Sequence, residues 1–506
     1  MEKNDKEKYS SSHGSDSGSS DDDYSDMNYE EKEELVPHRP ELVDVDSQTI
    51  TLLIPPSSSP EHPRTVFFIN DPELNDNPPL DKKYKTIDVE ITEKKYMFLS
   101  KAYKNLPLCL SGPMKYNRVI RSKLFENTNI VWKLMKQDRM FPYLKTLNKY
   151  QKFNHFPMTW QLSRKDNLYN NYSEMKKKFP NDYKYMPETY ILPRDQDFFI
   201  NEKLKNFDVK NKENLWLLKP VASSRGRGIR LLTDIENIPK KTIATHYIHN
   251  PHLINGRKYD LRIYLLITGY TQKIYLFDNG LARFCSEEYD LNPEKMNDRY
   301  IHLTNYSINK TSLNFEQNNS VDDEFGEKWT LSTLKKYFEK NNLNFEKVWE
   351  KIKDIIIKII LSVTGMAIPL IKSFELSSGN LFELYGVDIL LDENLTPWLM
   401  EVNLNPSLNC DSQLDLKVKS KLLTDIFNII GAIPFSHDGK FITMDKCNEY
   451  KNKAEEAVIE SLCEFERPTG GFQRLFPLKN NIEIYRKFID NPEEENLALW
   501  KAMLGK

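Results

Sequence analysis

The segment LYGVDILLDENLTPWLMEVNLNP, running from Leu384 to Pro406, sets two apolar stretches on either side of a short polar break. Val, Ile, Leu, Trp and Met dominate both flanks, which read as strands, and Glu393-Asn394-Leu395-Thr396 reads as a hairpin loop. A turn centred between Asn394 and Leu395 places Asp388 opposite Glu401, with Asn403 two residues on and on the same face. Two carboxylates facing each other among aliphatic side chains repel and are poorly solvated. Two readings remove the conflict. A divalent cation takes both carboxylates as hard oxygen ligands, with the rest of its coordination left to groups outside the protein. Alternatively, basic residues elsewhere in the chain pair with them in a structural ion network.

A second stretch favours phosphate. In WLLKPVASSRGRGIR, Trp216–Arg230, a strand delivers Lys219, and a loop then presents Ser223, Ser224, Arg225, Gly226, Arg227 and Gly228. Small residues let backbone N–H groups approach phosphate oxygens, and the cations neutralise them. The lysine precedes the glycines on a strand, so this is not the P-loop pattern, in which it follows them. A third stretch, GRKYDLR, puts Lys258, Asp260 and Arg262 at alternate positions of a strand and so on one face. Arg283 follows an Asp278-Asn279-Gly280 hairpin turn signal between Tyr275–Phe277 and Leu281–Phe284. Guanidinium groups on such a face hold carboxylate or acyl-phosphate oxygens bidentately. In HLTNY, Thr304 and Asn305 are candidates for orienting phosphate or amine groups, and His302 reads as a core histidine. His155 also reads as structural, and Lys165 as a nucleotide or carboxylate contact.

The chain has 506 residues, enough for two or three packed domains. Residues 1–50 hold 15 Asp/Glu against 5 Lys/Arg, a net of −10, whereas the whole chain nets −3, so residues 51–506 net +7. Residues 1–60 are acidic, Ser-rich and poor in core formers, and are expected to be a disordered arm. Five cysteines without a C-x-x-C pair imply neither a disulfide framework nor a zinc module, and a reducing compartment follows. The longest uncharged apolar run, Ile359–Ile371, is 13 residues between Lys358 and Lys372. It is too short to span a bilayer and reads as part of a buried helix covering 344–374, with Val348, Ile352, Ile355, Ile356, Ile359 and Ile360 on one face. Neither a membrane nor a nucleic acid is expected as a partner.

Taken in order, these segments resemble the tubulin tyrosine ligase-like family, a branch of the ATP-grasp ligases. The matching motifs are NHFP with RKDNLY, PETYILP, WLLKPVASSRGRGI, GRKYDLRIY, GLARF, HLTNYSINK, LFELYGVDILLD and WLMEVNLNPSL. They cover residues 117–433, and the Ser223–Gly228 run and the EVNLNPSL ending are most similar to the polyglutamylase members. The resemblance implies an α/β (α+β) ATP-grasp fold. Its expected parts are the arm (1–60), an N-terminal α/β subdomain (61–150), a central subdomain (151–250), a C-terminal catalytic subdomain (251–435) and a helical extension (436–506). It implies that Lys219 contacts the ATP phosphates and that Arg225–Gly228 cover them. Asp388, Glu401 and Asn403 would hold Mg²⁺, with Lys258, Arg262 and Arg283 around the acceptor, the incoming amino acid and the acyl phosphate. Ala244–Ile248, including His246, Tyr247 and Ile248, would be the hinge against adenine. There Thr245-His246 stands where members often carry Gln or Ser followed by Lys or Arg.

The implied activity is the ATP-dependent addition of glutamate to tubulin carboxylates by a monomeric enzyme of the cytoplasm and cytoskeleton, including the cilium or basal body. Glycylation, tyrosine ligation, or microtubule binding by an inactive ligase fold are the alternatives. Acidic tubulin tails would meet basic segments at 133–152 and 446–487.

Overall fold

The computed structural model describes residues 57–70, 128–133, 139–433 and 450–505 apart from a few loop positions, and short pieces between residues 41 and 122. Residues 1–40, most of the expected disordered arm, lie outside the described residues. Four sheets organise the rest. Strands β1 (Glu41–Val45) and β2 (Gln48–Leu52) pair as an antiparallel hairpin. A parallel sheet follows in the order β4-β3-β5-β6, from β3 (Phe98–Ser100), β4 (Ile120–Ser122), β5 (Ile130–Val131) and β6 (Lys152–Phe153). A third sheet has the order β7-β10-β8-β9, from β7 (Thr189–Ile191), β8 (Trp216–Pro220), β9 (Arg230–Leu231) and β10 (Thr242–His246).

The seven-stranded sheet carries the fold. Its path is β14-β13-β12-β15-β16, from β12 (Arg257–Thr268), β13 (Lys273–Phe284), β14 (Lys328–Thr330), β15 (Phe382–Leu391) and β16 (Pro397–Leu404). β11 (Leu253–Ile254) pairs with β12, and β17 (Phe472–Phe476) pairs with β13. Period-two alternation divides its side chains. Tyr259, Leu261, Ile263, Leu265 and Ile267 of β12 join one core with helix Phe345–Lys372. Tyr264 and Leu266 join a second core with helix Gln413–Ile430. On that second face, the N-terminal half of β12 holds Lys258, Asp260 and Arg262 instead. Apolar residues anchor the sheet at one end and leave polar ones at the other. The helix at Phe345–Lys372 fulfils its expectation: its most apolar stretch is 67% buried inside the fold.

Three expectations differ from the structure. Asp278-Asn279-Gly280 makes no hairpin turn, because β13 runs through it as one strand. The register against β12 shifts there, with Ile263 opposite Gly280 and Leu265 opposite Leu276. A second chain segment decides the outcome: the Asp278 N–H donates to the Gly471 carbonyl at 2.8 Å, and β17 pairs with the first half of β13 while β14 pairs with the second. The hairpin turn lies at Thr268–Lys273, where Gly269 has φ +67°.

Residues 436–506 are also more than a helical appendage. They supply β17, and Glu464 accepts from Thr268 Oγ1 (2.6 Å) and Tyr275 OH (2.7 Å), clasping the turn between β12 and β13. The arm expected to run to residue 60 is tied down before that, by the carboxylate of Glu466. This group, 2% exposed, accepts from Ser57 N (2.6 Å), Ser57 Oγ (3.0 Å) and Ser58 N (2.8 Å).

The two expected basic docking segments are partly used by the fold, while Arg139, Lys145 and Lys149 of the first and Lys451 and Lys479 of the second are exposed. Lys152 is buried and donates to the Gly379 carbonyl at 2.8 Å, and Lys133 sits 3.5 Å over the Tyr143 ring. In the second segment Lys453 pairs with Glu456 (2.9 Å), Arg486 with Glu483 (3.2 Å) and Lys487 with Asp182 (3.2 Å). Buried Arg467 donates to the Ile429 carbonyl. Lys136 and Lys446 lie outside the described residues.

Truncation separates the arm from its anchor. Removing residues 1–40 should leave thermal stability unchanged, whereas removing residues 1–60 should cost about 1–3 kcal/mol by stripping donors from buried Glu466. Equal melting temperatures for the two truncations would show that the Ser57–Ser58 contacts contribute nothing.

Candidate active site

Four strands set a charged row across the large sheet. Arg283 of β13 lies opposite Asp260 of β12. Arg262 of β12 lies opposite Asp388 of β15, which in turn lies opposite Glu401 of β16. The expected pairing of Asp388 with Glu401 therefore holds, by a route the turn alone does not supply. From Leu391–Pro397 down to Ile389–Leu399 the hairpin is in register around Asn394. Met400 is an extra residue in β16, and past this bulge the register becomes Asp388–Glu401. Without it Asp388 would oppose Met400 and Glu401 would turn to the other face.

Both earlier readings of the carboxylate pair have a physical basis here. Asp388 is 3% exposed and receives Arg262 Nε (2.6 Å), Arg262 Nη2 (3.1 Å) and Arg283 Nη2 (3.0 Å). Burial pushes its carboxyl upward, but the two guanidinium groups outweigh this and hold it well below the usual carboxylate range. Glu401 pairs with Lys165 Nζ at 3.0 Å. The Asn403 amide donates to Glu401 (3.1 Å) and to Asp388 (3.2 Å), drawing all three side chains into one patch. Among the described residues no set of three or more His, Cys, Asp and Glu side chains converges as a metal cage. Two carboxylates and an amide, with Glu401 and Asn403 partly open to solvent, fit a hard cation that takes its remaining ligands from water and phosphate.

Arg283 is not a free fork. Its Nε and Nη2 also bind Asp260 (2.8 and 2.5 Å), and Asp260 accepts a third bond from Thr304 Oγ1 at 2.7 Å. Asp260 and Thr304, expected among the nucleotide contacts, are engaged in orienting Arg283. Lys258 is buried and donates to Tyr247 OH and to the His302 carbonyl, both at 3.1 Å. Tyr247 in turn meets His302 Nδ1 at 3.1 Å, and His302 Nε2 reaches the Lys295 carbonyl at 3.2 Å. Burial, with Lys258 nearby, pushes His302 down to about 4, so it is the neutral core histidine expected. His155 is a core histidine as well, bound to Glu383 at 2.9 Å and to the Lys133 carbonyl at 2.6 Å.

The phosphate-loop side meets this row from above. Lys219, on β8, is buried and lies close enough to Glu401, Lys165 and Lys258 to feel their charges. Burial pulls Lys219 and Lys258 each down to about 8. Ser223 Oγ donates to the Arg227 carbonyl at 2.9 Å and closes the loop. Gly226 has φ +68°, and a Cβ there would come 2.7 Å from Asn305 Oδ1 and 2.5 Å from Ile308 Cδ1. The loop thus rests on the Asn305–Ile308 turn, and Asn305 serves as its seat. Gly228 has φ +72° and lies against Pro220, while Ser224 and Arg225 lie outside the described residues. In the expected hinge, Tyr247 and Ile248 are buried, and His246 Nε2 contacts the Glu213 carbonyl at 2.8 Å. Sequence reasoning missed Lys328, which lies opposite Arg283 on β14 and pairs with buried Asp415 at 2.7 Å. Nothing in its local spacing separates it from a surface lysine.

An α+β fold, with a glycine loop after one sheet resting on the Asn305–Ile308 turn and a charged row across another sheet, is consistent with the ATP-grasp type. A profile of the tubulin-tyrosine ligase family matches residues 144–439, and the chain belongs to that family. Mouse tubulin monoglutamylase TTLL4 is 37% identical over 296 residues, 58% of this chain and 24% of that protein. Human tubulin polyglutamylase TTLL5 is 33% identical over 409 residues, 70% of this chain and 31% of that protein. Human tubulin polyglutamylase TTLL6 is 35% identical over 373 residues, 68% and 40% respectively. The chain thus spans less than half the length of these relatives.

Gly226→Ala should weaken nucleotide binding about tenfold, since a left-handed non-glycine residue costs roughly 1–2 kcal/mol before any clash with Asn305. Calorimetric titration with an ATP analogue reads this; unchanged affinity would mean that the loop takes another conformation on binding.

Proposed function

We propose that this chain is an ATP-dependent carboxylate–amine ligase that adds glutamate to tubulin carboxylates. The observation that carries the reading is the convergence of Lys165 and Arg262 on the Asp388–Glu401–Asn403 patch, with buried Lys219 near enough to Glu401 to feel its charge and Lys258 close to Lys219. A carboxylate is a poor electrophile towards an amine, and acceptor, donor and nucleotide are all anionic. A cation-rich end of a sheet with buried walls serves such a reaction twice, by gathering the anions and by stabilising charge as it develops. The names of the similar proteins, mono- and polyglutamylases of tubulin, support glutamate as the donor and tubulin as the acceptor. The cytoskeleton, including the microtubules of cilia and basal bodies, is the corresponding site of action.

In this reading the acceptor γ-carboxylate takes the γ-phosphoryl group of ATP, and the amine of free glutamate then displaces phosphate to leave an isopeptide branch. Lys219 and the Gly226–Gly228 loop hold the phosphates. Arg262 faces the acyl-phosphate oxygens, Arg283 with Asp260 and Thr304 fixes Arg262's partner Asp388, and Lys258 holds the donor side. Asp388, Glu401 and Asn403 would hold Mg²⁺, which supplies Lewis-acid neutralisation of the phosphates. The buried sheet floor limits water that would hydrolyse the acyl phosphate.

The direct test offers labelled glutamate, glycine and tyrosine separately, with ATP and microtubules, and maps the product by mass spectrometry. Label from glutamate on a tubulin glutamate side chain is expected; label from glycine or tyrosine alone would replace this reading with glycylation or tyrosination.

Glu401→Gln should abolish incorporation while leaving the melting temperature within about 1 kcal/mol of stability, because Glu401 is partly exposed and its lost ion pair with Lys165 is modest. A fully active variant would remove Glu401 from the chemistry. Activity should also fall as pH rises through about 8, where Lys219 and Lys258 lose their charge. The loss should appear as a rising KM for ATP through Lys219 and for glutamate through Lys258; both KM values flat from pH 7 to 9 would mean that the two ammonium groups do not bind these substrates.

A further inference from the structure

Two thiols converge beyond the end of β16. Cys109 Sγ donates to the Leu408 carbonyl at 3.1 Å, and Cys410 Sγ reaches the same oxygen at 3.6 Å. The two thiols therefore meet at one carbonyl oxygen. They come from positions far apart in the chain, one before the parallel sheet is complete and one in the turn between β16 and helix Gln413–Ile430. Cys109 is fully buried, whereas Cys410 is partly open to solvent. An ammonium group stands nearby: Lys419 Nζ donates to the Asn409 carbonyl and pairs with Asp415 at 2.7 Å.

The geometry points to a redox modification site in which Cys410 reacts with a hydroperoxide and Cys109 resolves the product as a disulfide. The chemistry balances without a further reactant. The Cys410 thiolate attacks one peroxide oxygen, an S–O bond forms, the O–O bond breaks and, with one proton, water leaves when the oxidant is hydrogen peroxide. The Cys109 sulfur then attacks the Cys410 sulfur, the S–O bond breaks and a second water leaves. Two thiols have lost two electrons and two protons, and hydrogen peroxide has become two waters.

The other described cysteines make the assignment selective. The neighbouring Cys109 thiol and the Lys419 ammonium lower the Cys410 thiol, against burial and the Asp415 carboxylate. Burial pushes Cys285 up to about 12 and raises Cys463 as well. A partly exposed thiol beside a cation is the reactive one of such a set, and buried thiols in apolar surroundings are inert. The site's position gives it a consequence. The turn it occupies follows directly on the strand that holds Glu401 and Asn403, so a cross-link there ties the end of β16 to the N-terminal region.

The test uses the full chain. It is treated with hydrogen peroxide, its remaining thiols are alkylated, and its peptides are mapped by mass spectrometry without reduction. A Cys109–Cys410 cross-linked peptide is expected, with loss of both residues' alkylation and recovery of both on adding dithiothreitol. In Cys109→Ser, where the resolving thiol is gone, dimedone should label Cys410 as the trapped sulfenic acid; in Cys410→Ser both the cross-link and the Cys109 dimedone adduct should be absent. Circular dichroism confirms that each variant is folded, and Cys109→Ala replaces Cys109→Ser if the buried hydroxyl unfolds the chain. A cross-link from Cys410 to Cys447, dimedone labelling of Cys285 or Cys463 ahead of Cys410, or no oxidation of Cys410 in the folded wild-type chain would each overturn the proposal.

Discussion

Asp388 keeps its charge in the middle of a seven-stranded sheet, 3% exposed, and the candidate site is arranged around that fact. An unpaired carboxylate there would cost about 3–5 kcal/mol relative to a paired one. Two arginines from two different strands meet the need, and each is held in turn. Arg262 comes from the strand hydrogen-bonded to that of Asp388, and Arg283 from the next strand out, steadied by Asp260 and Thr304. The network therefore fixes the lateral order of β13, β12 and β15 as much as it shapes a reactive surface. Arg262, the partly exposed member of the pair, is the one placed to meet a second anion, and this is how a structural ion network becomes a candidate for phosphoryl chemistry.

Two irregularities in the sheet do positioning that regular strands cannot. The Met400 bulge turns Glu401 onto the face of Asp388, and the bulge at Asp278–Gly280 lets β13 pair with β17 in one half and β14 in the other. At Gly280 a Cβ would come 2.4 Å from the Arg262 carbonyl, so glycine is required there for close strand approach rather than for a turn. Bulges gathered beside a charged row are in keeping with their use elsewhere to aim side chains at sites.

Much of the basic surplus of the folded region is internal. Lys152, Lys258, Lys328, Lys419 and Arg467 are all buried and all bonded. Their charges belong to the packing of the N-terminal segment, the large sheet and the C-terminal extension on one another. Net charge read from composition counts such residues as if they faced solvent.

What the sequence by itself determined is short-range. Alternation along Lys258–Arg262, the apolar period of Phe345–Lys372, and the strand that delivers Lys219 each follow from local backbone geometry and hydrophobic periodicity, and each is found where expected. The facing of Asp388 and Glu401 was also legible, although the turn is centred half a residue away and a bulge makes up the difference. Tertiary structure decided the rest. It chose Arg262 and Arg283 from among 71 lysines and arginines as the partners of Asp388, turned an apparent Asp-Asn-Gly hairpin into a bulge, and brought Cys109 and Cys410 to one carbonyl oxygen. These outcomes depend on which distant segment lies alongside. A local propensity worth a few tenths of a kcal/mol yields to a strand of new hydrogen bonds or to a buried charge that must be paired.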